Sequence, residues 1–133
     1  MIPTVLAVDD DQQVLEFVAR VLHPDCHVII ADDPVKAITL AESIGRLDLV
    51  IADYAMPHLT GDEMVAQIRR IWPRVEVLYL TGNRAAVLAD ERPSQVSLAK
   101  PVTARQLRDV VAMMFADKQR EERHDDERDW SDE

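Results

Sequence analysis

Cysteine is almost missing from this chain. Cys26 stands alone, so no intrachain disulfide can form, and a single cysteine with no neighbouring ligands is expected to be a small buried apolar residue. The histidines His23, His27, His58 and His124 fall at no metal-ligand spacing, which removes zinc-type sites. Positive charge is also scarce. With 15 Lys and Arg against 25 Asp and Glu, the net charge of -10 has the wrong sign for contacts to nucleic-acid phosphates. Nucleic acid is therefore not an expected partner. No apolar run approaches membrane-spanning length, and Met1-Ile2-Pro3 leads into a strand without a basic or cleavable apolar segment. The expectation is a cytoplasmic protein with no membrane association. At 133 residues there is room for one domain with a core, and not for a catalytic domain beside a partner domain.

What the chain does contain is alternation. Thr4-Val5-Leu6-Ala7-Val8, Val28-Ile29-Ile30-Ala31, Leu49-Val50-Ile51-Ala52, Val75-Glu76-Val77-Leu78-Tyr79-Leu80 and Gln95-Val96-Ser97-Leu98-Ala99 are runs of strand length. Stretches of helical period follow them, a pattern that predicts βαβ units and an α/β fold: a five-stranded parallel sheet with helices on both faces. The inner stripes read Val14, Val18, Val21 and Leu22; Val35, Ile38, Ala41 and Ile44; Met64, Val65, Ile68 and Ile71; and Leu107, Val110, Val111 and Met114. Asp33-Pro34 reads as an N-cap followed by proline at the first helical position, and Gly45 as the end of that helix. Thr60 with Glu63, and Thr103 with Gln106, read as capping boxes. The fourth helical stretch, 84–90, is short and weakly patterned. Past residue 116 the apolar stripe dissolves into mixed charge, with Trp130 the one large apolar residue. The expected division is a domain over 1–116 and an acidic, frayed or solvated tail over 117–133.

Reactive groups collect at one kind of address. The first run ends in Asp9-Asp10-Asp11, the third in Asp53, the fourth in Thr81-Gly82 and the fifth in Lys100-Pro101. In an open parallel sheet, ligands bind beyond the carboxyl ends of the strands where the strand order reverses. With order 2-1-3-4-5, that point lies between strands one and three. Asp32-Asp33, at the end of strand two, falls at the sheet edge in that order and is better explained by capping. Neighbouring carboxylates repel by about 4 kcal/mol per close pair at an effective dielectric of about 20, so Asp9, Asp10 and Asp53 call for a cation. Oxygen ligands without His or Cys select a hard ion, and Mg2+ suits a few carboxylates beside a phosphate. Such a site prepares a carboxylate for phosphoryl transfer, with Thr81 and Lys100 supplying a hydroxyl and a point charge for the phosphoryl oxygens. Singly, each element has a plain explanation as a turn, a cap or a solvated lysine. Together, in register on four strands, they point to one site.

Over 4–115 the chain resembles the receiver domains of two-component response regulators. The resemblance is carried by Val8-Asp9-Asp10, by Asp53-Tyr54-Ala55-Met56-Pro57 followed by Gly61, by Leu80-Thr81-Gly82 and by Lys100-Pro101. It implies the flavodoxin-like receiver fold with a short fourth helix, Asp53 as phosphoacceptor, and Mg2+ held by Asp10, Asp53 and the Ala55 carbonyl, with Asp9 assisting through water. It also implies that Thr81 and Lys100 contact the phosphoryl group and that the Lys100-Pro101 peptide is cis. Many receivers carry an aromatic residue three positions before the lysine, and here that position is Ser97. Ala55 and Asn83 occupy positions that, by the same resemblance, influence acyl-phosphate lifetime.

The resulting expectation is a single-domain response regulator that takes a phosphoryl group onto Asp53 from a histidine kinase or histidine phosphotransfer protein. It would self-catalyse transfer and dephosphorylation rather than turn over a separate substrate. Output would pass through contacts with another protein, with phosphorylation-dependent dimerisation as a further expectation. One alternative is a haloacid-dehalogenase-like phosphatase using Asp9 as nucleophile and Asp11 as general acid, although Gln13 stands where that motif has Thr or Val. The other is a receiver-like binding module that is never phosphorylated.

Overall fold

The structure, a computed structural model, describes residues 2–82 and 95–131. Its strands are β1 (Thr4–Val8), β2 (His27–Ala31), β3 (Leu49–Asp53), β4 (Glu76–Thr81) and β5 (Gln95–Ala99). They form one parallel sheet in the order β2-β1-β3-β4-β5. Among the described residues there are four helices, α1 (Gln12–Leu22), α2 (Pro34–Ser43), α3 (Gly61–Ile71) and α4 (Ala104–Ser131). The central strands β1, β3 and β4 are buried nearly throughout, as continuous apolar runs covered on both faces require. The chain divides into two compact units, Met1–Val102 and Thr103–Glu133. The segment 83–94, which holds Asn83 and the expected short helix, lies outside the described residues, as does the Trp130 side chain.

In the first unit, α1 turns Leu15, Val18 and Leu22 inward, close to the anticipated stripe. On the opposite face of the sheet, α2 and α3 bury Ala37, Ala41, Met64, Val65 and Ile68 in one cluster with Leu6, Val50 and Val77. Three helix predictions need correction. Val35 is 56% exposed, because Pro34, Ala37 and Ala41 form the inner face and rotate Val35 outward. Gly45 also does not end α2 in a left-handed cap. The helix stops at Ser43, and Ile44 turns to extended backbone while its N–H still bonds Leu40 O at 3.1 Å. Ile71, expected inside, is the exposed last residue of α3.

The anticipated caps are present. Asp33 accepts the Val35 N–H at 2.7 Å with proline at the first position, and Thr60 and Glu63 form a reciprocal capping box. Thr103 and Gln106 bond each other's backbone N–H groups at 2.9 and 3.1 Å. Leu107, Val111 and Met114 of the last helix are buried, and the helix runs on to Ser131, past the change of pattern expected near residue 116. Loss of an apolar stripe removes a packing face without removing helix formers, and Lys, Arg, Glu and Gln propagate a helix well. Exposed pairs such as Arg120 with Asp117, at 3.4 Å, add a little support.

Candidate functional site

Asp9 and Asp53 meet because β1 and β3 are adjacent, parallel and in register. Val8 lies opposite Ala52, so the next residue of each strand leaves the sheet at the same level. Asp9 is buried. Its Oδ1 accepts the Asp11 N–H at 2.9 Å and its Oδ2 accepts from Lys100 Nζ at 3.0 Å. Asp53 is less enclosed, with 15% of its side chain exposed. Its Oδ1 accepts the Ala55 N–H at 3.2 Å and its Oδ2 lies 3.4 Å from Lys100 Nζ. Asp10 is exposed at the rim. One oxygen from each of Asp9, Asp10 and Asp53 lies within 4.8 Å of the others, the one such cluster among the described residues.

Lys100 follows β5, whose last residue pairs with Thr81. The Lys100 N–H donates to Thr81 O at 2.8 Å, extending the ladder one step, and the Lys100-Pro101 bond is cis. The ammonium then crosses the end of β4 to reach carboxylates on β3 and β1, a span that a long flexible side chain can cover. Thr81 is buried at the end of β4, one residue beyond Leu80, the register partner of Asp53. Thus Asp9, Asp10, Asp53, Thr81 and Lys100, from four strand ends, share one edge of the sheet, with Ala55 exposed on the loop that follows Asp53. Asp32 and Asp33 stay out: Asp33 caps α2, and Asp32 pairs with Lys36 on the exposed surface at 3.0 Å.

Among the described residues the charges do not balance: three carboxylates face one ammonium. Burial raises the Asp9 pKa above the usual carboxylate range, outweighing the Asp11 N–H bond and Lys100, and the Asp53 charge adds to the rise. Burial alone would lower the Lys100 pKa. The bond and charge of Asp9, with the charge of Asp53, overcome that and leave it raised, so the ammonium stays protonated.

The loop after Asp53 is held tightly to the start of α3. Gly61 N–H donates to Tyr54 O at 2.9 Å, and a Cβ on Gly61 would lie 2.6 Å from the Asp53 carbonyl oxygen, so only glycine fits there. His58 takes φ 75°, the left-handed region, to close the loop. Sequence patterns give no reason to single out Tyr54 or Tyr79, yet their rings meet edge to face at 5.2 Å and 72° beside Asp53. The signal that would have found them is the register of β3 on β4, which sets Tyr79 opposite Ala52, two positions before Tyr54. Asp11, the proposed acid of the phosphatase alternative, is engaged as the N-cap of α1, accepting the Gln13 N–H at 2.9 Å.

An apolar cleft of about 440 Å3 adjoins the site, lined mainly by Val14, Phe17, Leu80, Pro101 and Val102 beside Asp11 and Lys100.

The response regulator receiver domain model matches residues 5–112. The chain is 33% identical to the response regulator protein FleR of Pseudomonas aeruginosa over 115 residues, and 27% identical to the sensor kinase CckA of Brucella abortus over 117 residues. Each alignment covers 84% of this chain, but only 24% of the first relative and 12% of the second, so the chain spans a quarter or less of either protein. A crystal structure of a receiver domain protein from Clostridium thermocellum superposes with a TM-score of 0.78 at 26% identity, covering 89% of this chain and 98% of that one. With the matched segment running from β1 into the last helix and taking in every strand end that carries a polar group of the site, the chain belongs to the response regulator receiver domain family of two-component signalling.

Proposed function

We propose that the chain is a phosphoacceptor module that takes a phosphoryl group onto the Asp53 carboxylate and signals by a change in protein contacts. The observation that carries this reading is a partly accessible carboxylate at a strand end, facing an ammonium at 3.4 Å and flanked by two further acids. One Asp53 oxygen attacks phosphorus while the bond to the donor's imidazole nitrogen breaks. That nitrogen leaves with the electron pair, and the new acyl-phosphate oxygen remains on Asp53. Lys100 is positioned to neutralise charge developing on the phosphoryl oxygens, and Thr81 offers a hydroxyl to the same group.

The donor set fits Mg2+: all hard oxygens, three carboxylates within reach of one ion, and more negative charge than Lys100 alone offsets. Asp10 and Asp53 would hold it with the Ala55 carbonyl, and Asp9 would assist from behind. When bound, the ion supplies further charge neutralisation at the phosphoryl oxygens.

The donor is a phosphohistidine on a histidine kinase or phosphotransfer protein. The apolar cleft beside Asp11 and Lys100 offers a surface against which such a partner can seat its histidine near Asp53. Similarity to segments of a response regulator and of a sensor kinase supports this pairing. The test is incubation with Mg2+ and acetyl phosphate, followed by mass spectrometry. A phosphoryl adduct that maps to Asp53 and vanishes in Asp53→Asn is expected. A label on Asp9 instead, or no adduct and no response to beryllofluoride, refutes the reading.

A further inference from the structure

We propose that the state of Asp53 is reported to the first two turns of α3 through the stacked pair Tyr54 and Tyr79, whose hydroxyl contact with Asp62 forms a rearrangeable junction. This rests on the reading of Asp53 as the phosphoacceptor.

Four observations carry it. Tyr54 is bonded directly to Asp53 in the chain, and its ring meets that of Tyr79 edge to face. Tyr79 is buried inside the sheet, and its hydroxyl donates to Asp62 Oδ1 at 3.4 Å, a long contact. Farther along the same helix, Arg69 Nη2 is buried with no hydrogen-bond partner among the described residues. Asp62 and Arg69 stand seven positions apart, two turns along the same side of α3. A weak bond and an unmet donor therefore lie on one side of α3, two turns apart, and a long, weak contact at the start of the helix is the condition for a second arrangement of similar energy.

The coupling from Asp53 is steric as well. A Cβ on Gly61 would meet Asp53 O at 2.6 Å, Tyr79 Cε1 at 3.0 Å and Tyr54 Cα at 3.1 Å, so the first residue of α3 is wedged against all three. Any shift of the 53–54 backbone must move α3, the Tyr79 ring or both, because close-packed groups do not compress. Ser97 completes the arrangement. It pairs with Tyr79 across β4 and β5, and neighbouring residues in a parallel register point to the same face, so a small side chain at 97 leaves that layer to the Tyr79 ring.

The experiment uses the full chain with Mg2+ and beryllofluoride, following backbone amide shifts of residues 62–69 by NMR, with acetyl phosphate labelling of Asp53 run in parallel. In the unsubstituted protein the α3 amides are expected to shift. Tyr79→Phe removes only the hydroxyl; it should keep labelling of Asp53 within about twofold while the α3 shifts fall to less than about half. Asp62→Ala, at an exposed position, should do the same and carries the test if Tyr79→Phe folds poorly. Undiminished α3 shifts in both variants, or silent α3 amides while Asp53 is labelled, overturn the inference. No labelling of the unsubstituted protein overturns the phosphoacceptor reading, and this inference falls with it.

Discussion

Replacing Lys100 by methionine keeps the length of the side chain and deletes its charge, so it isolates what the ammonium does among the acids. The contacts at 3.0 Å to Asp9 and 3.4 Å to Asp53 are each worth about 5 kcal/mol at an effective dielectric of about 20. Two terms oppose that sum. Burying an ammonium costs several kcal/mol, and this one keeps 28% of its side chain in solvent, which screens it. Breaking a buried pair by removing one partner costs about 3 to 5 kcal/mol, and the partial exposure puts Lys100→Met at the low end, about 3 kcal/mol. For a chain of this size that corresponds to a fall in Tm of about 10 °C. The distinctive part is the rescue. Without the ammonium, the Asp9 and Asp53 charges, within 4.8 Å, repel by about 3 kcal/mol with only one backbone N–H bond to each carboxylate, so a cation gains more by binding. Urea unfolding at pH 7 with and without Mg2+ measures both effects. Mg2+ is expected to raise the midpoint of Lys100→Met more than that of the unsubstituted protein. A variant that loses no stability without the ion, or that gains no more from it than the unsubstituted protein, refutes the charge balance argued for this site.

Gly61→Ala places a methyl group 2.6 Å from the Asp53 carbonyl oxygen, a backbone atom that cannot swing aside; a loss of about 2 to 3 kcal/mol in urea unfolding and slower labelling by acetyl phosphate are expected. Burial raises the Tyr79 pKa well above 10.0, with the charge and bond of Asp62 adding to it. The folded state therefore holds this proton more tightly than the unfolded chain, and the stability it contributes is complete below pH 10 and is lost as pH rises further. Between pH 10 and about pH 11, unfolding midpoints of Tyr79→Phe should accordingly fall less than those of the unsubstituted protein. Burial, with the Asp25 and Asp48 charges, also raises the Cys26 thiol pKa; iodoacetamide should label it on the order of 100-fold more slowly in the folded protein than in urea.

Most of the site is readable in the chain because each member is announced by a local pattern. An apolar run predicts a buried strand, and the polar residue that ends it must sit at a strand terminus. Parallel connection then puts Asp9, Asp53, Thr81 and Lys100 on one edge without any tertiary information. Capping is equally local, and the Thr60 and Glu63 bonds follow from spacing alone. What depends on rotation or register is less legible. Val35 and Ala37 are both apolar and two positions apart, and which of them faces the sheet is set by how α2 is docked, with Pro34 buried at its start. The Tyr54 and Tyr79 contact needs the register of β3 on β4, in which Ala52 pairs with Tyr79, and that register appears in no single segment. The last helix shows a third kind of gap. Charged residues end a packing stripe and still continue a helix, so the pattern marks where burial stops and says little about where the backbone turns.

The sheet carries buried carboxylates at both edges, and the difference between them supports the proposed role of the carboxyl-terminal one. At the amino-terminal edge, Asp48 precedes β3 and is buried. One of its oxygens accepts the Thr4 N–H at 2.8 Å and the Arg46 Nε at 2.8 Å, so its charge is met by a guanidinium beside it and by a backbone donor of β1. Its carbonyl also accepts the Glu76 N–H at 3.1 Å, which fixes the start of β4. That arrangement is a joint: a cation is supplied from two residues away, and the carboxylate ties β1 to β3. At the carboxyl-terminal edge the same sheet gathers Asp9, Asp10 and Asp53 and, among the described residues, supplies one ammonium, drawn from β5 across the end of β4. A purely structural cluster would gain stability from losing an acid or adding a base there, because the surplus charge raises the free energy of the folded state. The surplus makes sense if the missing positive charge arrives from outside, as a divalent ion, and if Asp53 must remain unprotonated and reachable to act as a nucleophile. Strand register brings these acids together, and among the described residues the shortage of cations at that edge favours a cation as the proposed ligand.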